Sequence, residues 1–306
     1  MKNLKILNIN KEQKDSIEPL GTKEKFWFFH KSINTLFKVG RENTGEDWVE
    51  VVVSEICSLL DIPHAKYSFA TYEKSNGTVT PSFVPEGGRL IHGNELLVRA
   101  YKAIEVDYNQ DTFYKLREYN LKVIHAILKN EKISPAFDVL EYDEFETAFD
   151  MFIGYLVLDC LISNQDRHHE NWGLIVYDKI VFLAPTYDHA SGLGSKEHDI
   201  KKEKRLTRDD PRVTVKKFVE RAKTPFYDKN KLLSTYESVE LCAKLDKNMT
   251  LYWLSKIENL NLDTVVDIFA KIPTNLISDT SSKFAIEMVK ENRNRLLEIK
   301  RKLENE

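Results

Sequence analysis

The sequence predicts an α+β fold: a small strand-rich N-terminal lobe followed by a larger, mostly helical C-terminal lobe. Three observations carry this. Before residue 86, short aromatic and β-branched runs alternate with polar turns around a single helix. Beyond residue 112, apolar residues recur at helical spacing through most of the chain. Between them, PEGGRLIHG (85–93) concentrates the proline and glycines expected where the chain changes character. The expected division is 1–86 for the small lobe and 87–306 for the helical lobe.

In the first lobe, FWFFHKSINTLFK (26–38) predicts two short strands around a polar turn. EDWVEVVVSEICSLL (46–60) predicts an amphipathic helix with Trp48, Val52, Ile56 and Leu59 on one stripe. AKYSFATYE and TVTPSFV flank KSNG, whose Asn76-Gly77 pair is a hairpin-turn signal. Helices are then expected over 112–129, 143–163, 210–222, 230–245, 263–271 and 282–303. The last aligns Phe284, Met288 and Leu296 and reads as a helix docked on its own domain.

Composition narrows the class. With 306 residues, 42% hydrophobic and 30% charged, the chain is globular rather than disordered. A net charge of −3 supplies no global basic field for nucleic acid, so no direct nucleic-acid partner is expected. Cys57, Cys160 and Cys242 are odd in number and sit in apolar helical patterns, which favours reduced core thiols and a cytoplasmic location. The first twenty residues lack the apolar region of a signal peptide, and no run of 18 apolar residues predicts a membrane span. Specialised delivery into a host cell would leave no such trace.

The chemistry concentrates after TAFDMFIGYLVLDCLI (147–162), a segment apolar nearly all round and therefore expected in the middle of its lobe. NQDRHHEN (164–171) follows at once, and then two short strands, WGLIVYD and KIVFLAPTYDH, joined by a tight turn at Asp178-Lys179. A hairpin of that kind would return Asp188 towards Asn171, with Asp166 one loop turn earlier. Phosphoryl transfer needs that set: hard oxygen ligands for a divalent cation, from Asn171 and Asp188, and a metal-free carboxylate, Asp166, for the acceptor hydroxyl. The spacing Asp-x-x-x-x-Asn is that of the kinase catalytic loop. Arg167 and His168 would orient the loop or screen phosphate charge, and His169 and Glu170 read as bystanders. A charged structural loop, a metal nuclease, and a zinc site of His168, His169 and His189 are the competing readings.

On the small lobe, Lys38 at the end of a strand is the candidate for the ATP phosphates, and Gly21 a candidate phosphate-covering turn, without any Walker motif.

NQDRHHENWG (164–173), PTYDHASGLG (185–194), and LFK (36–38) followed by EDWVEVVVSEICSLLDIPHAKY (46–67) together resemble the HipA-like serine/threonine kinases, the toxin half of bacterial toxin–antitoxin modules. The resemblance runs in order through nearly the whole chain. It implies a bilobal protein-kinase-like fold using ATP and Mg²⁺, with Asp166 and the motif histidine His168 catalytic, Asn171 and Asp188 on the metal, and Lys38 on the nucleotide. It further implies a protein substrate, autophosphorylation and an antitoxin partner. Full-length members carry an extra N-terminal subdomain; here the nucleotide lobe is expected to begin by residue 20, as in a kinase-only type. The lysine's glutamate partner stays open: alignment with the family points to Glu50, helical periodicity to Glu55. The segment after Asp188, ASGLGSKEHDIKKEKRLTRDDPRVTVKK, is rich in Lys and Arg and reads either as a solvated loop or as a docking surface for an acidic partner. Ser191, Ser195, Thr207 and Thr214 are the hydroxyls available there for phosphorylation. Lipid or small-molecule phosphorylation, and a non-enzymatic pseudokinase, are the alternatives to protein kinase activity.

Overall fold

The computed structural model describes residues 4–17, 24–103, 119–136, 144–208 and 210–306. Up to the change of character the elements are β1 (Ile6–Ile9), β2 (Ser16–Ile17), β3 (Lys25–His30), β4 (Ile33–Val39), α1 (Glu46–Leu59), β5 (Ser68–Tyr72) and β6 (Ser75–Pro81). Then come β7 (Arg89–His92), α2 (Gly93–Ala103), α3 (Leu121–Leu128), β8 (Ile133–Ser134), α4 (Ala148–Ile162), β9 (Gly173–Tyr177) and β10 (Ile180–Leu183). The remainder is α5 (Asp199–Thr207), α6 (Val215–Glu220), β11 (Lys223–Asp228), β12 (Lys231–Ser234), α7 (Thr235–Leu245), α8 (Lys247–Asn259), α9 (Leu262–Ala270) and α10 (Asp279–Asn305). Two compact units form, each from three chain segments. One takes Met1–Phe83, Asp188–Phe218 and Leu260–Glu291; the other takes Val84–Tyr187, Val219–Asn259 and Asn292–Glu306.

The first unit carries a six-stranded sheet in the order β1-β5-β6-β4-β3-β2, with β1 parallel to β5 and every other pair antiparallel. The strand pair expected over 26–38 forms, turned by Lys31 and Ser32, both left-handed as a two-residue hairpin requires. The sheet starts at Ile6, where β1 pairs with β5 across more than sixty residues of sequence, a pairing that no local signal announces. Alternation along the strands puts Ile9, Phe26, Phe28, Phe37, Ala70 and Val79 into one buried cluster.

Two expectations are corrected here. Asn76-Gly77 lies inside β6, opposite Thr71 and Ala70, and the chain turns three residues earlier, at Glu73-Lys74 with Glu73 left-handed. Gly77 is demanded by close approach instead: a Cβ there would stand 2.1 Å from the Lys38 carbonyl oxygen of β4. Helix α1 is buried on nearly every side, including Val49, Glu50, Val51 and Val53, while Leu59 is 40% exposed. The single apolar stripe was therefore the wrong description of a helix packed all round.

In the second unit the sheet order is β7-β9-β10-β8. β9 and β10 form the expected hairpin, turned by left-handed Asp178 and Lys179. Helix α4 is buried along its whole length. It begins where Thr147 donates from both its hydroxyl (2.7 Å) and its backbone N–H (2.8 Å) to the Asp150 carboxylate. Gly154 lets α8 lie close, since a Cβ would meet the Trp253 ring at 2.5 Å, and the Trp253 indole donates to the Asp150 carbonyl (2.8 Å).

Elsewhere the helices differ from expectation in extent. Within 112–129 the described helix is Leu121–Leu128, and within 210–222 it is Val215–Glu220. The span 230–245 opens as a strand, β12, paired with β11 around a left-handed Lys229, and turns helical only at Thr235 behind the Ser234 cap. Helix α5 was not expected because DIKKEKRLT carries no apolar stripe. In α10, Phe284, Met288 and Leu296 are fully buried, as a docked helix requires. Among the described residues no helix is long and apolar enough to cross a membrane.

Candidate functional site

The candidate residues fall into two side-chain clusters, one in each unit. In the second unit α4 ends at Ser163, a left-handed residue, and the loop to β9 begins. Asp159, in the last turn of α4, receives both Nε and an Nη of Arg167 at 2.8 Å each and the Asn164 amide at 2.8 Å. The remaining Arg167 nitrogen donates to the Asn171 carbonyl at 2.8 Å. Arg167 is 1% exposed, so of its two expected roles it orients the loop; burial opposes its charge, but Asp159 outweighs that and holds its pKa above the ordinary value.

This frame presents Asp166, whose side chain is 48% exposed and whose N–H donates to the Asn164 amide oxygen at 3.2 Å. The Asn171 amide nitrogen donates to the Asp166 carbonyl at 2.7 Å, which leaves the amide oxygen as the atom suited to a hard cation. His168 Nδ1 accepts the Glu170 N–H at 3.1 Å, so in the neutral ring Nε2 carries the proton, 3.8 Å from the Asp166 carboxylate. His169 is buried, with its ring edge-on to both Tyr119 and His168. Burial, helped by His168, lowers its pKa to about 4, so it is neutral and structural. Among the described residues no three His, Cys, Asp or Glu side chains form a metal-binding group.

Two buttresses were invisible in the sequence. Tyr119 donates its hydroxyl to the Arg167 carbonyl and accepts the Trp172 indole N–H, both at 2.9 Å. Asn292 of α10, fully buried, donates to the Leu161 carbonyl (3.0 Å) and the Ser163 hydroxyl (2.8 Å), fixing the exit from α4. Both act over long sequence separations, and an Asn within a polar helix gives no pattern to read.

In the first unit Lys38 of β4 stands 3.4 Å from the Asp188 carboxylate and 3.6 Å from that of Glu50. The choice between Glu50 and Glu55 is thereby settled: Glu50 is 2% exposed and pairs with the lysine, while Glu55 lies on a partly exposed face. Burial would push the Lys38 pKa down, but Asp188 foremost, with Tyr67 and Glu50, reverses this and raises it well above the ordinary lysine value. The lysine is a fixed cation. Asp188 is left-handed, with φ of 57°, and its side chain is 32% exposed. The second Glu50 oxygen accepts the His189 N–H at 2.9 Å. Thus Lys38 and Asp188 are brought together around Glu50, and Asp166, His168 and Asn171 share one loop. Gly21 lies outside the described residues.

No protein-family model matches the chain, and no curated relative matches it. Solved structures do. The Helicobacter pylori proinflammatory kinase CtkA aligns with a TM-score of 0.74 at 18% identity, covering 98% of this chain and 99% of its own. HipA of Shewanella oneidensis MR-1, solved in a toxin–antitoxin complex with HipB and operator DNA, aligns with a TM-score of 0.53 at 9% identity, covering 94% of this chain and 68% of its own. The α+β fold of this chain is therefore the kinase-like fold of HipA and CtkA.

Proposed function

We propose that this chain is an ATP- and Mg²⁺-dependent serine/threonine protein kinase that phosphorylates a cellular protein and itself, as a bacterial toxin or effector. The observation that carries the proposal is the Lys38 ammonium held between Glu50 and Asp188, the arrangement by which kinases of this fold fix a phosphate-binding cation. The donor set fits the expected ligands: a permanent cation for phosphate oxygens, and hard oxygens from Asn171 and Asp188 for a divalent ion. Once bound, Mg-ATP would supply the phosphoryl group and the charge neutralisation it needs. Asp166, half exposed and held by its own loop, would orient the acceptor hydroxyl and accept its proton. His168, with Nε2 3.8 Å from the Asp166 carboxylate, would help keep it aimed through an electrostatic contact. Arg167 would keep Asp166 and Asn171 in register without touching substrate.

The HipA likeness supports an antitoxin as a protein partner, and the CtkA likeness supports an effector acting away from the cell that makes it. Synthesis in the cytoplasm accommodates both. The test is labelled ATP added to whole-cell lysate with the intact chain or with Asp166→Ala. The intact chain should label itself and at least one protein. Asp166→Ala should lose at least about a thousandfold in rate while keeping its melting temperature. Labelling of a lipid or metabolite but no protein would move the assignment to a small-molecule kinase. Absence of both ATP binding and transfer by the intact chain would overturn it.

A further inference from the structure

We infer that Tyr67 is a positioning residue for the proposed transfer, its hydroxyl holding the Asp188 backbone while its ring faces the Lys38 ammonium. The inference rests on the kinase reading above and deepens it. Tyr67 lies between α1 and β5, 5% exposed, and its own N–H donates to the Ser54 hydroxyl of α1 at 3.2 Å. From that anchor the side chain meets two groups of the cluster. The Asp188 N–H donates to its hydroxyl oxygen at 3.3 Å, and Lys38 Nζ stands 5.5 Å from its ring centroid.

The backbone explains why such a contact is needed. Asp188 is a non-glycine residue in the left-handed region, a conformation that persists only where its surroundings enforce it. Its own N–H is held by Tyr67, and the next N–H, of His189, is held by Glu50. The peptide groups on either side of the Asp188 Cα are thus each pinned by a side chain that also faces or pairs with Lys38. Asp188 and Lys38 are set by shared supports and not independently. A Tyr that merely filled the core would have no reason to engage both groups.

Two variants of the full chain separate the contacts. Tyr67→Phe removes the hydrogen bond and keeps the ring; Tyr67→Leu removes both. ATP binding is measured by calorimetry with and without Mg²⁺, together with amide hydrogen exchange of the segment containing Asp188. Tyr67→Phe should raise the Mg²⁺ concentration for half-saturation about fivefold and speed exchange at Asp188, with metal-free ATP binding unchanged. Tyr67→Leu should in addition weaken metal-free ATP binding about fivefold. If the intact chain binds Mg-ATP and Tyr67→Phe matches it in both titration and exchange, the inference is overturned and the kinase reading stands. Equal weakening of metal-free and metal-dependent binding by Tyr67→Phe would also overturn it, as general loosening. If the intact chain binds no Mg-ATP, the kinase reading falls and takes the inference with it; should Tyr67→Leu fail to fold, the Phe variant decides alone.

Discussion

The loop after α4 and the cluster around Lys38 solve the same problem, fixing a charged group at a chosen point, by opposite means. In the loop, Asp159, Asn164, Arg167 and Asn171 lie within thirteen residues of one another and bond largely to one another and to the local backbone. Around Lys38 the partners come from β4, α1, the stretch before β5 and the segment after β10, as far apart in sequence as Lys38 and Asp188. The first is a self-contained frame that works once α4 is buried. The second exists only after the sheet and helix of its unit have assembled. Local frames should fail by losing stability, and assembled clusters by losing ligand affinity.

The harshest way to break that contrast is Arg167→Met. It removes three hydrogen bonds and leaves the Asp159 carboxylate buried without its cation, a change that costs about 3–5 kcal/mol in comparable buried pairs. Denaturant unfolding should show this loss in full, and Asp159→Leu on top of Arg167→Met should recover a large part of it, because the orphaned charge is the main cost. Equal stability of Arg167→Met and the parent chain would mean that the loop is framed by something other than this pair.

Legibility followed the same division. The helix, loop and hairpin from 147 to 188 could be read from the sequence because their signals are local: an all-apolar helix, a dense polar loop, a two-residue turn. The lysine was readable as a strand-end residue, but its partner was not. Periodicity favoured Glu55 only by assuming that α1 buries one stripe, and a helix packed on nearly all sides gives periodicity nothing to measure. The Asn-Gly signal in β6 failed for a related reason: Gly77 answers to the carbonyl of a neighbouring strand, which is a tertiary demand. Asn292, Tyr119 and Tyr67 contribute through a few long-range contacts each and leave no pattern at all.

A smaller effect sharpens the comparison through pH. His169, lowered to about 4 in the folded chain, returns in the unfolded chain to about 6.5, its usual value. Between these values the unfolded chain binds a proton that the folded chain refuses, so stability rises with pH across the window. The contribution is complete above about pH 6.5 and is lost on acidification towards pH 4, amounting to at most about 3 kcal/mol. Melting temperatures recorded from pH 4 to 7 should show it, and His169→Gln should flatten that part of the curve. Lys38 itself should add nothing to the slope there, since it stays charged throughout.

The smallest expected effect is the most pointed, because it compares two glutamates of one helix. Glu50→Gln keeps an oxygen to accept the His189 N–H but removes the charge facing Lys38. The lysine then keeps Asp188 as its carboxylate partner and is drawn towards it, so its hold on phosphate should weaken about tenfold in ATP affinity, with only a modest change in melting temperature. Glu55→Gln, on a partly exposed face of the same helix, should change stability by less than about 0.5 kcal/mol and leave ATP affinity alone. Calorimetric titration of the two variants side by side is decisive. A larger loss from Glu55→Gln would restore the periodicity argument and mean that the working partner of Lys38 differs from the one 3.6 Å away. A loss confined to Glu50→Gln means that α1 sets the affinity of the chain for nucleotide through one buried carboxylate, acting at the same time on the lysine and on the peptide that follows Asp188.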